Sequence, residues 1–158
     1  MTIFDENDRA ILKALQVDAS VSLEALADRL HLSINACWRR VKKLENTGVI
    51  DRRVALVSPE AVGLNVTVFV SVKTDNHSGE WLAKFSAATA DIAEVVEFYR
   101  MAGEVDYLLK ILVRDVADYD RVYKQIIAAV PLSDVSASFA MERIKYETAV
   151  PIPCSHNG

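Results

Sequence analysis

The stretch that decides the fold of the first third of the chain is LSINACWRRVKKLENTGVI, Leu32 to Ile50. Ser33 can accept a hydrogen bond from the open amides at the start of a helix, and Gly48 can supply the left-handed residue that ends it. Three apolar side chains between them recur at the spacing i, i+4 and i+7: Cys37, Val41 and Leu44. The stretch therefore predicts an amphipathic helix with one buried and one exposed side.

Two further helices are predicted before this stretch. Asp5 can cap the first, and Ser22 can cap the second, which ends near His31. Apolar residues recur at helical spacing within each of them. Only a few residues separate the second helix from the third, which is basic. Two helices joined in this way are typical of a helix-turn-helix, in which the later helix enters the DNA major groove.

The exposed side of the third helix carries residue types that read DNA. Asn pairs with adenine, Arg pairs with guanine, and Ala contacts the thymine methyl group. The predicted base-reading residues are Ser33, Asn35, Ala36 and Arg39, and the predicted phosphate contacts are Arg40, Lys42 and Lys43. For each basic residue the alternative is solvation, or an ion pair with Glu45 or Asp51. Trp38 is predicted to pack against the first helix rather than to lie on the sugar-phosphate backbone, and Cys37 is predicted to be a small core residue.

The overall charge of the chain conceals a basic segment. The 158 residues carry a formal net charge of -4, which by itself argues against a nucleic-acid partner. Residues 1–58 have a net charge of +1 and residues 59–158 a net charge of -5, yet residues 33–53 hold six basic and only two acidic side chains. A local surplus of this kind points to a polyanion, although a basic cluster is often only a solvated face.

Composition restricts the class of protein and its compartment. Hydrophobic residues make up 51% and charged residues 25%, so the chain can bury a core and is not disordered. Cys37 and Cys154 lie far apart, outside any metal or redox spacing, and predict no disulfide framework. No apolar run is long enough to span a membrane, and the N-terminus lacks the pattern of a signal peptide. We expect a cytoplasmic protein with no membrane partner.

The remaining two thirds of the chain alternate between strand and helix patterns. The predicted strands are 64–73, 94–101, 105–114 and 135–146, and the predicted helices are 79–90 and Asp115 to Pro131. The order β-α-β-β-α-β is the ferredoxin-like arrangement, in which two helices cover one face of a four-stranded antiparallel sheet. The predicted fold class is α+β, a helix-turn-helix domain followed by a ferredoxin-like domain.

Apolar residues occupy both faces of the predicted sheet. Leu108 and Leu112 alternate with Leu109 and Ile111, and Phe69 opposes a row of valines. One layer of helices cannot cover both faces, and a contiguous apolar patch usually marks an association surface. We expect a homodimer whose two recognition helices meet successive major grooves ~34 Å apart on a pseudo-palindromic operator in double-stranded DNA.

Three segments in order resemble the Lrp/AsnC (feast/famine) family of transcriptional regulators: LSINACWRRVKKLENTGVI, MAGEVDYLLKI (101–111) and FAMERIKY (139–146). The resemblance implies a winged-helix-like helix-turn-helix domain at 1–52, a linker strand or hinge at 53–62, a ligand-sensing RAM domain at 63–147 and a tail at 148–158. It also implies dimers that assemble further, often into octamers, and regulation by an amino-acid effector. The segment NHSGEW (76–81) is most similar to a cysteine-responsive branch, which makes L-cysteine the first candidate.

The same resemblance places the effector between dimers, beside the hairpin that joins the second and third strands. The residues expected to line it are Gly103, Glu104, Val105, Asp106, Tyr107, Ser136, Ala137 and Ser138. Glu104 stands where Asp is commoner in the family. An amino acid needs an anion for its ammonium group, which Asp106 could supply, and backbone amides for its carboxylate, which Gly103 lets approach closely. The alternative is that Gly103 merely turns the hairpin and that Asp106 pairs with Arg100 or Arg114.

The main rival interpretations are a small-molecule enzyme and a ferredoxin-like module that regulates another protein. The three histidines, His31, His77 and His156, are scattered, no residue set has metal-ligand spacing, and no glycine-rich phosphate loop follows a strand. A module that binds only proteins has no use for the basic helix. We therefore expect no enzyme activity and no cofactor besides the amino-acid effector. A salt-dependent, sequence-preferring mobility shift on DNA would separate the interpretations.

Overall fold

The computed structural model of the chain describes residues 4–153, so Cys154 and His156 lie outside the described residues. The described residues form two compact units. The first contains the residues up to Ala55 together with those from Ile144 onward, and the second contains Leu56–Arg143. This division differs from the predicted ranges chiefly at the C-terminal side, because the segment from Ile144 packs with the first unit.

Three helices build the first unit, and a side chain caps each of them. They are α1, Glu6–Val17; α2, Leu23–Arg29; and α3, Ile34–Asn46. Asp5, Ser22 and Ser33 each accept a hydrogen bond from the backbone amide three residues further on, at 2.8, 3.1 and 3.2 Å. Each such cap stabilises a helix by about 1 kcal/mol. All three predicted caps are confirmed.

Left-handed residues lie on either side of α3. His31, in the turn before it, has a φ of 54°, and Gly48, after it, has a φ of 71°. At Gly48 the backbone reverses, so that the amides of Val49 and Ile50 both reach the carbonyl oxygen of Leu44, at 2.9 and 3.0 Å. The predicted end of the helix at Gly48 is confirmed.

The core of the first unit comes from one stripe on each helix. Ile11, Leu26, Cys37 and Leu44 are almost completely buried and pack together. Burial raises the pKa of the Cys37 thiol, because the thiolate is disfavoured away from water. Cys37 is therefore a small core residue, as predicted.

The C-terminal segment completes the first unit. The side-chain amide of Gln16, on α1, donates from Nε2 to the carbonyl oxygen of Val150 at 3.2 Å and accepts from the Val150 amide at 2.7 Å. Arg9 donates from Nε to the carbonyl oxygen of Pro153 at 3.1 Å, and Ile152 packs against the helical core. Paired backbone groups and a covered apolar side chain hold this segment on α1.

The second unit has the predicted order β-α-β-β-α-β. Its elements are a 3₁₀ turn, Glu60–Val62; β1, Val66–Lys73; α4, Gly79–Ala90; β2, Val95–Arg100; β3, Tyr107–Val113; α5, Val116–Ala129; and β4, Asp134–Phe139. The strands form one antiparallel sheet in the order β2-β3-β1-β4. This is the ferredoxin-like arrangement, and the predicted α+β fold class is confirmed.

One face of the sheet carries the main core. Alternate residues of β1 and β3 point to this face and are fully or almost fully buried: Val68, Val70, Val72, Tyr107, Leu109, Ile111 and Val113. Phe85 and Trp81 from α4 pack on them, and the indole N–H of Trp81 donates to the carbonyl oxygen of Pro131 at 3.0 Å. Fully burying one such side chain contributes about 1.5–3 kcal/mol, so this face dominates the stability of the second unit.

The opposite, outer face of the sheet is less covered within one chain. Phe69 is exposed, whereas Leu108 and Leu112 are half-buried. In the middle of this face the Lys110 ammonium lies 2.7 Å from the Glu97 carboxylate, and that hydrogen bond holds the pKa of Glu97 below its usual value. The apolar outer face predicted from strand parity is present.

Two predicted strands differ from the structure. β4 ends at Phe139 rather than at Tyr146, because β1, its only ladder partner in the described sheet, begins at Val66; the last bond joins the Ala140 amide to the Thr67 carbonyl at 2.9 Å. The linker strand expected at 53–62 is not formed within the described chain, where residues 51–58 are exposed and belong to no helix or strand. None of the four described strands pairs with these residues. None of the described helices is both long and apolar enough to cross a bilayer.

Candidate DNA-reading face and effector loop

The outward side of α3 carries four exposed residues at helical spacing. Asn35, Trp38, Arg39 and Lys42 fall at i, i+3, i+4 and i+7, which places them on one side of the helix, away from buried Cys37. We call these four residues the outward stripe. Ser33 and Lys43 are also exposed, and Ala36 is half-buried. The structure therefore groups most of the predicted DNA contacts on one surface of one helix.

Arg39 is the central cation of the outward stripe. Within residues 4–153 its guanidinium has no carboxylate partner, and the Lys43 ammonium has none either. A guanidinium presents a planar fork of donors that fits the O6 and N7 acceptors of guanine. Arg39 is thus available for a bidentate contact without first breaking an ion pair.

Arg40 has a different environment from its neighbour. Its Nη1 lies 2.6 Å from the Asp5 carboxylate and 2.7 Å from that of Asp8, whose side chain is only 2% exposed. The hydrogen bond to Asp8, followed by that to Asp5, raises the pKa of the Arg40 guanidinium. The predicted phosphate contact at Arg40 is therefore not supported, because this side chain fastens α3 to the start of α1.

Lys42 forms an ion pair with Glu45, which the sequence allowed as the alternative to a phosphate contact. Its ammonium lies 2.8 Å from the Glu45 carboxylate, and the guanidinium of Arg53 lies 3.1 Å from the same group. The hydrogen bond from Lys42 is the main reason why the pKa of Glu45 is lowered. Exposed pairs of this kind contribute about 0–1 kcal/mol, so a DNA phosphate can compete for either cation.

The prediction that Trp38 packs into the core is wrong. Its side chain is 51% exposed, and Ile34, one turn earlier, is 49% exposed. Successive residues of a helix turn by about 100°, so Trp38 and Arg40 project from opposite flanks of the stripe that contains Cys37. The ion pairs with Asp5 and Asp8 hold α1 on the Arg40 flank, whereas about half of the Trp38 side chain is open to solvent.

The proposed effector loop, Met101–Asp106, joins β2 to β3. Its ends are closed by a hydrogen bond from the Met101 amide to the Asp106 carbonyl at 2.8 Å. Gly103 has a φ of 148°, which side-chain-bearing residues rarely adopt. Glu104 is largely exposed, and its carboxylate lies 3.6 Å from the Lys73 ammonium, while Val105 is half-buried. The loop is therefore open to solvent at its tip.

Asp106 has a structural partner that the sequence did not indicate. One carboxylate oxygen accepts a hydrogen bond from the Thr74 amide at 2.9 Å, and the other lies 3.9 Å from Nδ1 of His77. Neither Arg100 nor Arg114 is its partner, and Arg114 pairs with Asp118 instead, at 3.1 Å. Asp106 thus links the effector loop to the segment that follows β1, because both of its carboxylate oxygens lie near that segment.

The other predicted effector residues are divided between the two faces of the sheet. Tyr107 is only 2% exposed and packs against Trp81, with ring centroids 5.4 Å apart, so its ring belongs to the core. Ser136 and Ser138 pair with Ser71 and Phe69 on the outer face, whereas Ala137 pairs with Val70 on the helix face. The expected lining role of Tyr107 is therefore not supported, because its side chain is already covered.

The effector loop and the start of β4 lie at the same end of the sheet. Val72, one residue before the end of β1, pairs with Tyr107 on one side and with Val135 on the other. One strand therefore separates the two predicted lining segments, a spacing of about 10 Å. Within the described residues there is no group of three or more His, Cys, Asp or Glu side chains that could hold a metal ion.

Two family profiles match the chain. The winged helix-turn-helix DNA-binding domain matches residues 4–51, and the Lrp/AsnC ligand-binding domain matches residues 67–150. The chain belongs to the Lrp/AsnC family of transcriptional regulators. Proteins of the Lrp/AsnC family are DNA-binding regulators rather than enzymes. This Lrp/AsnC protein is a DNA-binding regulator with an effector-binding domain.

Relatives with names and solved structures support the Lrp/AsnC assignment over almost the whole chain. The DNA-binding transcriptional activator DecR from Escherichia coli K12 is 47% identical over 151 residues, which cover 95% of this chain and 99% of DecR. An AsnC family transcriptional regulator from Agrobacterium tumefaciens is 52% identical and has a TM-score of 0.90, covering 94% of this chain and 97% of that one. A transcriptional regulator from Neisseria meningitidis, solved as a complex with L-Met, is 30% identical with a TM-score of 0.89 and the same coverage.

Proposed function

We propose that the outward stripe of α3 reads operator bases and that Arg39 is its main specificity contact. The observation that carries this proposal is the position of the Arg39 guanidinium, which is exposed at the centre of the stripe and has no carboxylate partner among the described residues. Asn35 can pair with adenine and Ala36 can contact a thymine methyl group, while Ser33 caps the helix and lies at its entry.

The lysines of α3 are proposed to contact phosphates. Lys42 and Lys43 are exposed, and a lysine ammonium attracts phosphate as a point charge without reading sequence. Such contacts release counterions, so they make binding strongly dependent on salt. Residues 33–53, with six basic and two acidic side chains, provide the positive field.

A pair of variants tests this division of roles on DNA selected from a random duplex pool. Arg39→Ala should weaken binding to the selected site by ~1–3 kcal/mol and relax base preference, because a base contact is lost. Lys43→Ala, the matched control, should weaken binding to selected and random DNA equally and lower the salt slope by ~1. Identical behaviour of the two variants would contradict the proposal.

We propose further that the protein forms a homodimer through the outer face of its sheet, and that dimers assemble into an octamer. Phe69 is exposed there beside Leu108 and Leu112. Residues 51–58 and 140–150 also expose apolar side chains, among them Leu56 and Ile144, and belong to no strand within the described chain. A second copy could cover both features, and two-fold symmetry would place two α3 helices on a pseudo-palindromic operator.

Sedimentation of the full chain tests this assembly. The wild-type protein should sediment as a dimer or a multiple of it at micromolar concentration, and Phe69→Glu should shift it toward the monomer because a charge is buried at the interface. Val116→Glu is the matched control, since Val116 is exposed at the start of α5 on the helix side of the sheet. A wild-type monomer would defeat the proposal.

The effector is proposed to be an amino acid bound at the loop Met101–Asp106 with the first residues of β4, and L-cysteine is the first candidate. The L-Met complex of the Neisseria meningitidis regulator supports an amino acid of similar size. Gly103 and Asp106 would receive the carboxylate and ammonium groups, and Glu104, Val105, Ser136 and Ser138 would lie around them. A preference of 1–3 kcal/mol for one assembly state would change DNA occupancy about 5- to 150-fold. Such a regulator would act in the cytoplasm, where its DNA is.

Thermal unfolding with each of the twenty amino acids tests the effector site, since a ligand that binds only the folded state raises the melting temperature. Asp106→Asn should abolish the shift while keeping an oxygen acceptor for the Thr74 amide, so the fold should be retained. Asp91→Asn, an exposed carboxylate at the end of α4, is the matched control. A ligand response that survives in Asp106→Asn would contradict this assignment.

A further inference from the structure

Two large apolar side chains lie exposed on α3, beside residues proposed to read DNA. Ile34 and Trp38 are four residues apart and therefore adjacent on the helix surface, and about half of each side chain is exposed. We call this pair the apolar flank of α3. Asn35 and Arg39 follow Ile34 and Trp38 directly in the sequence, so the apolar flank borders the polar part of the outward stripe along half the helix.

Within the described part of the chain, the exposed half of the Trp38 side chain has neither a stacking partner nor a hydrogen-bond partner. No aromatic ring stacks on the indole, and its N–H donates to no residue within 4–153. The other tryptophan differs, because Trp81 is buried, stacks on Tyr107 and donates to the Pro131 carbonyl. Tryptophan is enriched at surfaces that become covered when a complex forms.

The charge around the apolar flank indicates what covers it. Arg39 and Lys42 lie on the same side of α3, so a second basic copy of this helix would be repelled there. A DNA duplex offers the opposite: phosphates for the cations and, in the major groove, one apolar group, the C5-methyl of thymine. An apolar surface set beside a basic one matches that combination.

We propose that Trp38, with Ile34 beside it, is a specificity-determining DNA contact that recognises thymine methyl groups next to the base read by Arg39. The inference rests on the proposed function, in which α3 lies in the major groove. Covering Trp38 by thymine methyls removes apolar surface from water on both sides, whereas cytosine at the same place presents no methyl group. The apolar flank thus adds a preference for thymine that the polar residues of the stripe do not supply.

Replacement of single thymines by deoxyuracil tests this contact, because the exchange removes only the methyl group. For the wild-type protein on a selected operator, one or two such positions should each lower affinity about fourfold, the effect of one buried methyl group. In Trp38→Ala the same replacements should have no effect, and the variant should bind the unmodified operator about tenfold more weakly. Trp38→Leu keeps an apolar side chain and should keep part of the uracil penalty.

The matched control is Val17→Ala, which removes an exposed apolar side chain at the end of α1 and should keep the full uracil penalty. The penalty compares two DNAs for one protein, so it is independent of any loss of folded protein. An undiminished penalty in Trp38→Ala, or no sensitive thymine for the wild type, would overturn the inference. If Arg39→Ala still relaxes base preference in that case, the proposed function stands; if it does not, the proposed function fails as well.

Fluorescence quenching provides a second readout of the same contact. In a Trp81→Phe background, acrylamide should quench Trp38 readily in the free protein and much less in the operator complex. Strong protection already in the free protein would mean that another protein surface covers Trp38, and it would overturn the inference.

Discussion

The outward side of α3 and the side that faces α1 give neighbouring arginines different surroundings. Arg39 faces outward and has no carboxylate partner among the described residues, whereas Arg40 is held by Asp5 and by buried Asp8 on α1. The two residues are of the same type, so the difference comes from the roughly 100° that separates adjacent positions on a helix. A basic run on a recognition helix is therefore not one surface: part of it binds the protein itself and part is left for DNA.

The largest effect is expected for Arg40→Ala. Removal of the guanidinium leaves the Asp8 carboxylate buried without its counter-ion, which should lower the free energy of unfolding of the first unit by about 2–3 kcal/mol. Urea unfolding followed by circular dichroism measures this loss. Arg39→Ala is the control and should change stability by no more than ~0.5 kcal/mol. Equal stability of the two variants would contradict the different surroundings assigned to Arg39 and Arg40.

A conservative exchange at Arg39 should have the next largest effect. Arg39→Lys keeps the charge but loses the planar fork, so the preference for the selected operator over random DNA should fall by ~1–2 kcal/mol with an unchanged salt slope. Binding isotherms on both DNAs at several salt concentrations provide the test. A shallower salt slope with intact base preference would show that Arg39 contacts phosphate instead.

A smaller change is expected at Glu45, which pairs with Lys42 of the outward stripe and with Arg53. Glu45→Gln removes the charge that pairs with Lys42 and Arg53 and should strengthen binding to random DNA by less than ~1 kcal/mol. The salt slope should become steeper by about one, because a further cation reaches phosphate. Unchanged or weaker binding to random DNA would mean that neither cation lies near the duplex.

The smallest effect concerns pH on the Arg40 flank. The hydrogen bond from the Asp8 amide, aided by Arg40, lowers the pKa of Asp5 below 3.8. A carboxylate with a lowered pKa in the folded state stabilises the protein at every pH above its pKa in the unfolded state. This contribution is lost as the pH falls through the pKa of the folded state. Asp5→Asn keeps a cap but not the charge, so its stability deficit should shrink as the pH is lowered to about 3. A deficit that stays constant with pH would mean that only the cap matters.

Local physical chemistry explains why much of the fold was predictable from sequence. The caps Asp5, Ser22 and Ser33 and the end of α3 at Gly48 depend on residues within one turn, and the valines of β1 reveal their buried face by alternation. The end of β4 was not predictable in this way. The sequence pattern after Phe139 continues to favour a strand. The length of β1, the neighbouring strand, nevertheless decides where the ladder stops.

The candidate sites were predictable only where the partner lies close in sequence. Arg40 pairs with Asp5 and Asp8, more than thirty residues earlier, and no local pattern reveals that contact. The same holds for Asp106, which serves the Thr74 amide. Trp38 was predicted to lie in the core because tryptophan is usually buried there. Only the folded helix shows that half of its side chain is exposed. For these residues the sequence defined the residue type but not its surroundings.

Photocrosslinking of an operator that carries 5-iodouracil in place of single thymines tests the central claim most directly, namely that the outward side of α3 reads bases. The crosslinked peptides are identified by mass spectrometry, and random DNA with the same substitution serves as the control. We predict crosslinks within Ser33–Lys43, with Trp38 foremost, at a few operator positions and not on random DNA. Crosslinks confined to residues outside α3 would contradict the account.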